Sequence, residues 1–251
     1  MTAARIDGYL VTGGLGHDFD FARLELLKAL AVHEHVRTIA APDYERLDRL
    51  DRAAFVVSYT CDVEPSASAQ AALAEFVARG GRWFALHATN SLLSFGPEGV
   101  GRRAGGELFL DLLGAQFAAH PPIGPFMVEN LKPAHPLTAG LEPFAVEDEL
   151  YLMRMRADVE VLLAARYRGE APGFVDRDWR DDAVRPILYL RRWGQGAVLY
   201  CTLGHARGHY DAQHRTPYFP VVERGAWATE QFREILTRGL RWMLTRESDD
   251  G

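Results

Sequence analysis

Between Arg5 and Leu86 short apolar runs alternate with segments of helical period, and no other feature of the sequence constrains the fold as tightly. Arg5–Thr12 is β-prone and closes on Gly13-Gly14-Leu15-Gly16, after which Phe21–Leu30 carries Leu24 and Leu27, with Ala31 following, at helical spacing. Val36–Ala40 and Ala53–Tyr59 are further strand candidates, the second rich in aromatic and β-branched residues as buried strands are. From Pro65-Ser66 onward Leu73, Phe76 and Val77 fall on one helical face, Gly80-Gly81 supplies the stop, and Trp83–Leu86 follows as the next buried strand. The pattern predicts an α/β fold, an open and mostly parallel sheet flanked by helices.

The second half reads differently. Gly96–Gly106 is expected to be a surface loop. Its Gly99-Val100-Gly101-Arg102-Arg103-Ala104 matches a dinucleotide fingerprint only in letters, because no strand is predicted before it, so no nucleotide cofactor is expected. A helix is expected over Leu108–Leu113, then strands at Phe126–Glu129, Glu147–Leu152, Val159–Ala164, Ile187–Arg191 and Ala197–Cys201, a strand-rich insertion. Arg192-Trp193-Gly194-Gln195-Gly196 signals a hairpin between the last two. A final helix near Glu230–Leu244 would bury Phe232, Ile235, Leu236, Leu240 and Met243. Without repeats, linkers or low-complexity tracts, residues 1–251 are expected to form a single domain.

In open parallel sheets ligands sit beyond the carboxyl ends of the strands, so polar residues just after apolar runs are the first candidates. His17 follows the first strand and its glycine turn, His87 follows Trp83–Leu86 directly with Asn90 three residues on, His120 ends Ala115–Ala119, and His205 ends Ala197–Leu203. Imidazole both titrates near neutral pH and ligates transition metals, so the four suit either acid–base catalysis or a site for zinc or another divalent transition metal. Glu147-Asp148-Glu149-Leu150-Tyr151 sets three carboxylates at a strand start, where Asp148 would face away from Glu147 and Glu149. A carboxylate there, or Asp18 beside His17, can orient a histidine, bind a sugar hydroxyl or act as a base. His33, His35, His135, His209 and His214 are expected to be structural or superficial, the last two bordering a pocket.

Absences narrow the chemistry. No G-x-S-x-G, G-x-x-x-x-G-K-[ST] or H-E-x-x-H motif is present. The two cysteines, Cys61 and Cys201, have no zinc-ribbon spacing and form no disulfide framework. With 28 Lys+Arg against 34 Asp+Glu the formal net charge is −6, which argues against a nucleic-acid partner. No apolar run reaches the roughly 18 residues of a membrane span, and Met1–Asp7 lacks a basic, then apolar, leader, so no membrane partner and a cytoplasmic location are expected. A homo-oligomer is compatible with a domain of this size.

Taken in order, several segments resemble the ThuA-like (trehalose utilisation) family, whose fold is that of the class I glutamine amidotransferases and is flavodoxin-like. They are Gly13-Gly14 to His17-Asp18, Phe76-Val77 to His87-Ala88, Gly114 to His120-Pro121-Pro122, His135-Pro136 to Leu141, Asp148 to Tyr151, and Pro186 through Gln195-Gly196 to His205. The resemblance implies a role in carbohydrate catabolism, with trehalose or a related disaccharide, in a keto form or not, as substrate class. It places His17, His87, His120, Asp148, Glu149 and His205 at the polar strand ends. Where an amidotransferase presents its nucleophilic cysteine, on the sharp turn after a central strand, this chain has His87. Two stretches depart from the family pattern, Arg168–Asp182 and Gly208–Arg224, and either is expected to reshape the pocket.

The expected site therefore has His87, His205, Glu149 and Asp148 as catalytic groups, with His17, Asp18, His120, Tyr151 and Asn90 binding a small-molecule sugar. His17, His87, His120 and His205 are the candidate metal ligands. Trp83, Tyr151 and Tyr210 are candidates for stacking on a pyranose. The competing expectation is a non-catalytic carbohydrate-binding protein that keeps the fold without the chemistry. A thiol-based relative using Cys61 or Cys201 ranks below both.

Overall fold

The computed structural model describes residues 5–245. Residues 1–4, which enter the leader reading, and the last six residues of the expected 1–251 domain lie outside the described residues. The elements follow in the order β1 (Ile6–Gly14), α1 (Phe19–Ala31), β2 (Val36–Ala41), α2 (Leu47–Leu50), β3 (Phe55–Cys61), α3 (Ala67–Ala78) and β4 (Arg82–Leu86). Next come β5 (Leu93–Gly96), β6 (Gly99–Arg102), α4 (Glu107–Leu113), β7 (Ala115–Ala119), β8 (Gly124–Asn130), β9 (Phe144–Asp148), β10 (Leu152–Met155) and β11 (Glu160–Arg166). β12 (Gly169–Glu170), β13 (Asp178–Trp179), β14 (Val184–Trp193), β15 (Gly196–Cys201) and α5 (Glu230–Leu244) complete the order.

Nine strands form one sheet in the order β2-β1-β3-β4-β15-β14-β11-β8-β9. From β2 to β15 neighbours are parallel, and from β14 to β9 each strand is antiparallel to the one before. The α/β expectation and the strand-rich second half both hold. The parallel half is buried along its strands, every residue of β3 included, as expected where helices cover both faces. α1 and α5 pack on one face, burying Leu26, Leu30, Phe232, Ile235 and Leu240, while α3 and α4 bury Leu73, Phe76, Phe109 and Leu113 on the other.

Local chemistry sets the strand ends. Gly14 ends β1 at φ +120°, where a Cβ would stand 1.8 Å from the Cys61 carbonyl oxygen, so only glycine lets β1 and β3 finish side by side. Asp18 then caps α1 by accepting the Phe21 N–H, worth about 1 kcal/mol. His87 leaves β4 at φ +48°, the left-handed region that a non-glycine residue enters only when its surroundings hold it there. The sharp turn expected at this position is present.

Two expectations fail here. Gly96–Gly106 is no simple loop, since β5 and β6 pair there as an antiparallel hairpin. Glu147–Leu152 is not one strand, because β9 stops at Asp148 and β10 starts at Leu152. Among the described residues no helix is long and apolar enough to cross a membrane.

Candidate metal centre

Four strands deliver four side chains to one point beyond their carboxyl ends. β1 and its glycine turn bring His17, β4 brings His87, β15 brings His205, and the turn after β9 brings Glu149. One ligand atom from each lies within 4.8 Å of every other, and all four residues are buried. β1 is where the strand order reverses, with β2 on one side and β3 on the other, the place where doubly wound sheets open a crevice.

Each imidazole has one nitrogen fixed outward and one turned inward. Nδ1 of His17 faces the Leu15 carbonyl at 3.3 Å, and Nδ1 of His87 faces that of Thr202 at 2.8 Å. Nε2 of His205 meets Glu223 Oε2 at 2.7 Å. The inward atoms crowd together, with His17 Nε2 3.0 Å from His87 Nε2 and Glu149 Oε2 3.4 Å from the latter. His205 Nδ1 lies 3.1 Å from Glu149 Oε1 as an ion-pair partner but off a hydrogen-bonding direction, so it is buried without a hydrogen bond. Nitrogen and oxygen donors around a tetrahedral ion with bonds of about 2.0–2.2 Å stand about 3.3 Å apart. The spacing, the His205 nitrogen without a hydrogen bond and the outward anchors fit a divalent transition metal, and His17, His87, Glu149 and His205 can hold one.

Charge is arranged to match. Burial lowers the His17 pKa to about 4, so this ring stays neutral and keeps its lone pair. Burial opposes charge on His205 too, but the Glu149 and Glu223 carboxylates outweigh it and raise its pKa to about 9. Burial pushes Glu149 up, yet His205, His120 and His17 hold it well below the usual carboxylate range. Arg207 adds positive charge, 3.4 Å from Glu149 and 3.0 Å from Glu223.

The remaining expected residues divide. His120 stays outside the four-ligand group, its Nε2 3.6 Å from Glu149 Oε1 and its Nδ1 held by the Pro121 carbonyl at 2.7 Å, so Glu149 takes the place expected for it. Tyr151 is buried with its hydroxyl 3.3 Å from His87 Nε2. The Asp148 carboxylate is committed to backbone. It accepts N–H groups from Glu149, Gly204, His205 and Ala226 at 2.7–3.2 Å, and Gly225 passes so close that a Cβ would stand 2.7 Å from Oδ2. Asp18 is a helix cap that also pairs with Arg224, and Asn90 is buried with its amide on Met153 Sδ; neither lines the cavity. Trp83 donates to Ser58 Oγ deep in the core and Tyr210 is exposed, and neither lines the cavity.

Above the centre lies a cavity of about 380 Å³ with His17, Glu149, Tyr151, His120 and Arg207 among its lining residues. Both unusual stretches shape it, Arg168–Asp182 through Phe174 and Gly208–Arg224 through Ala212, His214, Arg215, Thr216 and Phe219. Cys61, expected elsewhere, also lines it because β3 ends beside β1; burial pushes its thiol pKa up, away from the thiolate a nucleophile needs. Sequence reading missed Arg207, Glu223, Ser91 and Phe174. The first two lie on a loop without periodicity, and only their charge in an aromatic, histidine-bearing segment marked them.

A family model described as trehalose utilisation, ThuA, matches residues 9–217. Among solved structures, a ThuA-like protein from Bacteroides uniformis ATCC 8492 superposes with TM-score 0.68 at 18% identity, over 99% of this chain and 95% of that one. A second, from Parabacteroides merdae ATCC 43184, gives TM-score 0.63 at 17% identity over 96% and 90%. The chain also superposes on 31% of a β-galactosidase from Rahnella sp. R3, with 96% of its own length, TM-score 0.56 and 13% identity. No curated protein matches the sequence. At these identities the structural likenesses concern the fold.

Proposed function

The chain belongs to the ThuA (trehalose utilisation) family, and from that premise we propose that it is a metal-dependent enzyme of carbohydrate catabolism acting on trehalose or a related disaccharide or sugar derivative, keto forms included. The observation that carries the reading is the convergence of His17, His87, His205 and Glu149 beneath the cavity, each histidine with its outer nitrogen already anchored. A bound divalent cation such as zinc would supply a Lewis acid for a sugar oxygen.

The chain's own groups supply the rest. His120 reaches the cavity with Nδ1 committed to Pro121, leaving Nε2 as the proton-carrying position of a general acid or base. Arg207 is fixed by Glu149, Glu223 and the Gly16 carbonyl, and its guanidinium lies 5.2 Å over the Phe219 ring, so it presents a rigid donor to substrate. Asp148 positions Glu149 and His205 through their backbones and touches no substrate.

Elemental analysis of protein purified without added metal or chelator, beside a His87→Ala, His205→Ala double variant, tests the reading. We expect near-stoichiometric transition metal, lost in the variant together with product formation in a sugar screen. Sugar turnover that survives in the variant sinks the metal-dependent mechanism. A sugar bound tightly and recovered unchanged turns the protein into a binding module.

A further inference from the structure

Among the described residues one carboxylate lines the cavity, Glu149, and no aspartate, asparagine, glutamine or lysine joins it. Besides the histidines and the Cys61 thiol, the other hydrogen-bonding side chains there are Arg207, Arg215, Tyr151, Ser91 and Thr216. Arginine only donates, and Glu149 is already engaged by His17, His87, His205 and Arg207. Side-chain acceptors for a ligand are therefore scarce, and cationic donors are in excess.

The two arginines differ in what holds them. Arg207 spends much of its fork on Glu149, Glu223 and the Gly16 carbonyl. Arg215, on a turn closed by its own N–H to the Ala212 carbonyl at 2.8 Å, is exposed and has no carboxylate within ion-pair distance among the described residues. Both lie near the turn that delivers His17. Arg207 Nε donates to the Gly16 carbonyl at 3.0 Å, and His214 Cε1 stands 3.7 Å from the position a Gly16 Cβ would take. Burial first, then the charges of Arg215 and Arg207, lower the His214 pKa, so both guanidinium groups act on that one ring. Each hydroxyl of a neutral sugar donates as well as accepts, and the lining supplies few side chains to receive those protons. A carboxylate or an ionised phosphate chiefly accepts, and the planar guanidinium fork matches either.

Resting on the reading of the cavity as a sugar site, we infer that the sugar it takes is acidic, carrying a carboxylate or a phosphate that Arg215 receives with the Arg207 charge nearby. In a space also lined by Phe95, Phe117, Phe174 and Phe219, water screens such a pair less than it does on an open surface. Because Arg215 takes part in no ion pair, replacing it removes no such contact from the fold.

Calorimetric titration of the metal-loaded protein with glucose, glucuronate, gluconate, glucose 1-phosphate and glucose 6-phosphate tests this, with acetate and inorganic phosphate reporting an anion held by the metal alone. At least one acidic sugar is expected to bind about tenfold tighter than glucose, and tighter than acetate or phosphate by a similar factor. The carboxylate and phosphate arms show which group is read. Arg215→Ala cuts the advantage to less than about threefold, Arg215→Lys restores part of it, and added salt narrows it in the wild type. Glucose binding as tightly as the acidic sugars, or an advantage untouched by Arg215→Ala, overturns the inference and leaves the sugar site standing. Acetate or phosphate binding as tightly as the acidic sugars shows an anion held without sugar recognition, and overturns the inference as well. No binding of any sugar overturns the sugar site and the inference together.

Discussion

Nε2 of His17 and Nε2 of His87 face each other at 3.0 Å while both Nδ1 atoms turn outward to backbone carbonyls. Two nitrogen lone pairs hold that distance only with a proton between them, carried on Nε2 of one neutral ring, or with a cation. Burial keeps His17 from protonating until about pH 4. A hydrogen bond between the two Nε2 atoms would leave one Nδ1 without a proton to give its carbonyl, whereas a cation there would let both Nδ1–H groups donate, to Leu15 and Thr202. Glu149 and Nδ1 of His205 would complete its surroundings.

Titration with Co²⁺ checks this, because visible absorption reports donor set and coordination number directly. The expected result is one equivalent bound with the intense bands of a low-coordinate site. His87→Ala should weaken binding at least 100-fold, having lost one of four donors. Equal binding by wild type and variant would place any metal elsewhere.

Proton linkage follows from the same groups. Without metal, the His205 pKa stands near 9 against 6.5 unfolded, so the stability it contributes is complete below about pH 6.5 and is lost as pH rises through 9. His17 acts in the other direction. Its folded value near 4 lies below 6.5, so its contribution is present above 6.5 and is lost as pH falls toward 4. The metal-free protein should therefore show a melting temperature that peaks close to pH 6.5. Metal binding at neutral pH requires His205 to surrender its Nδ1 proton, so titrations in buffers of different ionisation enthalpy should reveal close to one proton released. Zero release would mean that His205 does not ligate.

The histidines were legible because apolar strands end in polar residues at one edge of a parallel sheet, a rule about topology that sequence carries. Glu149 was legible only as one of three carboxylates. Reading Glu147–Leu152 as a continuous strand assigned its side chain by alternation, whereas β9 ends at Asp148 and the turn that follows buries Glu149 in the centre. Asp18 carried the signal of a helix cap, a short acidic side chain just ahead of Phe19–Ala31, and could have been read as one. Glu223 and Arg207 meet across an antiparallel bridge between two loop residues, a pairing that no periodicity announces.

Glu223 fixes the His205 tautomer by accepting from Nε2, which leaves Nδ1 for the centre. Glu223→Gln keeps a hydrogen-bonding group but removes the charge. Metal affinity should fall about 10–100-fold, the range for losing a carboxylate behind a ligating histidine. The melting temperature of the metal-free variant should fall on the alkaline side least, because His205 is already losing its proton there. An unchanged affinity would show that His205 orientation does not depend on this carboxylate.

Asp148 separates holding the site from being part of it. Its carboxylate receives four backbone N–H groups from three segments, the Glu149 turn, the Gly204-His205 strand end and Ala226 after the Gly225 turn. Asp148→Ala leaves those donors buried and unpaired, at a cost of about 3–5 kcal/mol. For a chain of this size that lowers the melting temperature by about 10 °C. Asp148→Asn keeps one accepting oxygen but turns an NH₂ toward the remaining donors, so it should destabilise less and still displace His205 and Glu149. Metal affinity measured in both variants then distinguishes the roles. A positioning residue predicts weaker metal binding in Asp148→Asn with the same stoichiometry and the same Co²⁺ band positions, because the donor set is intact. A shift of those bands would instead make Asp148 a ligand.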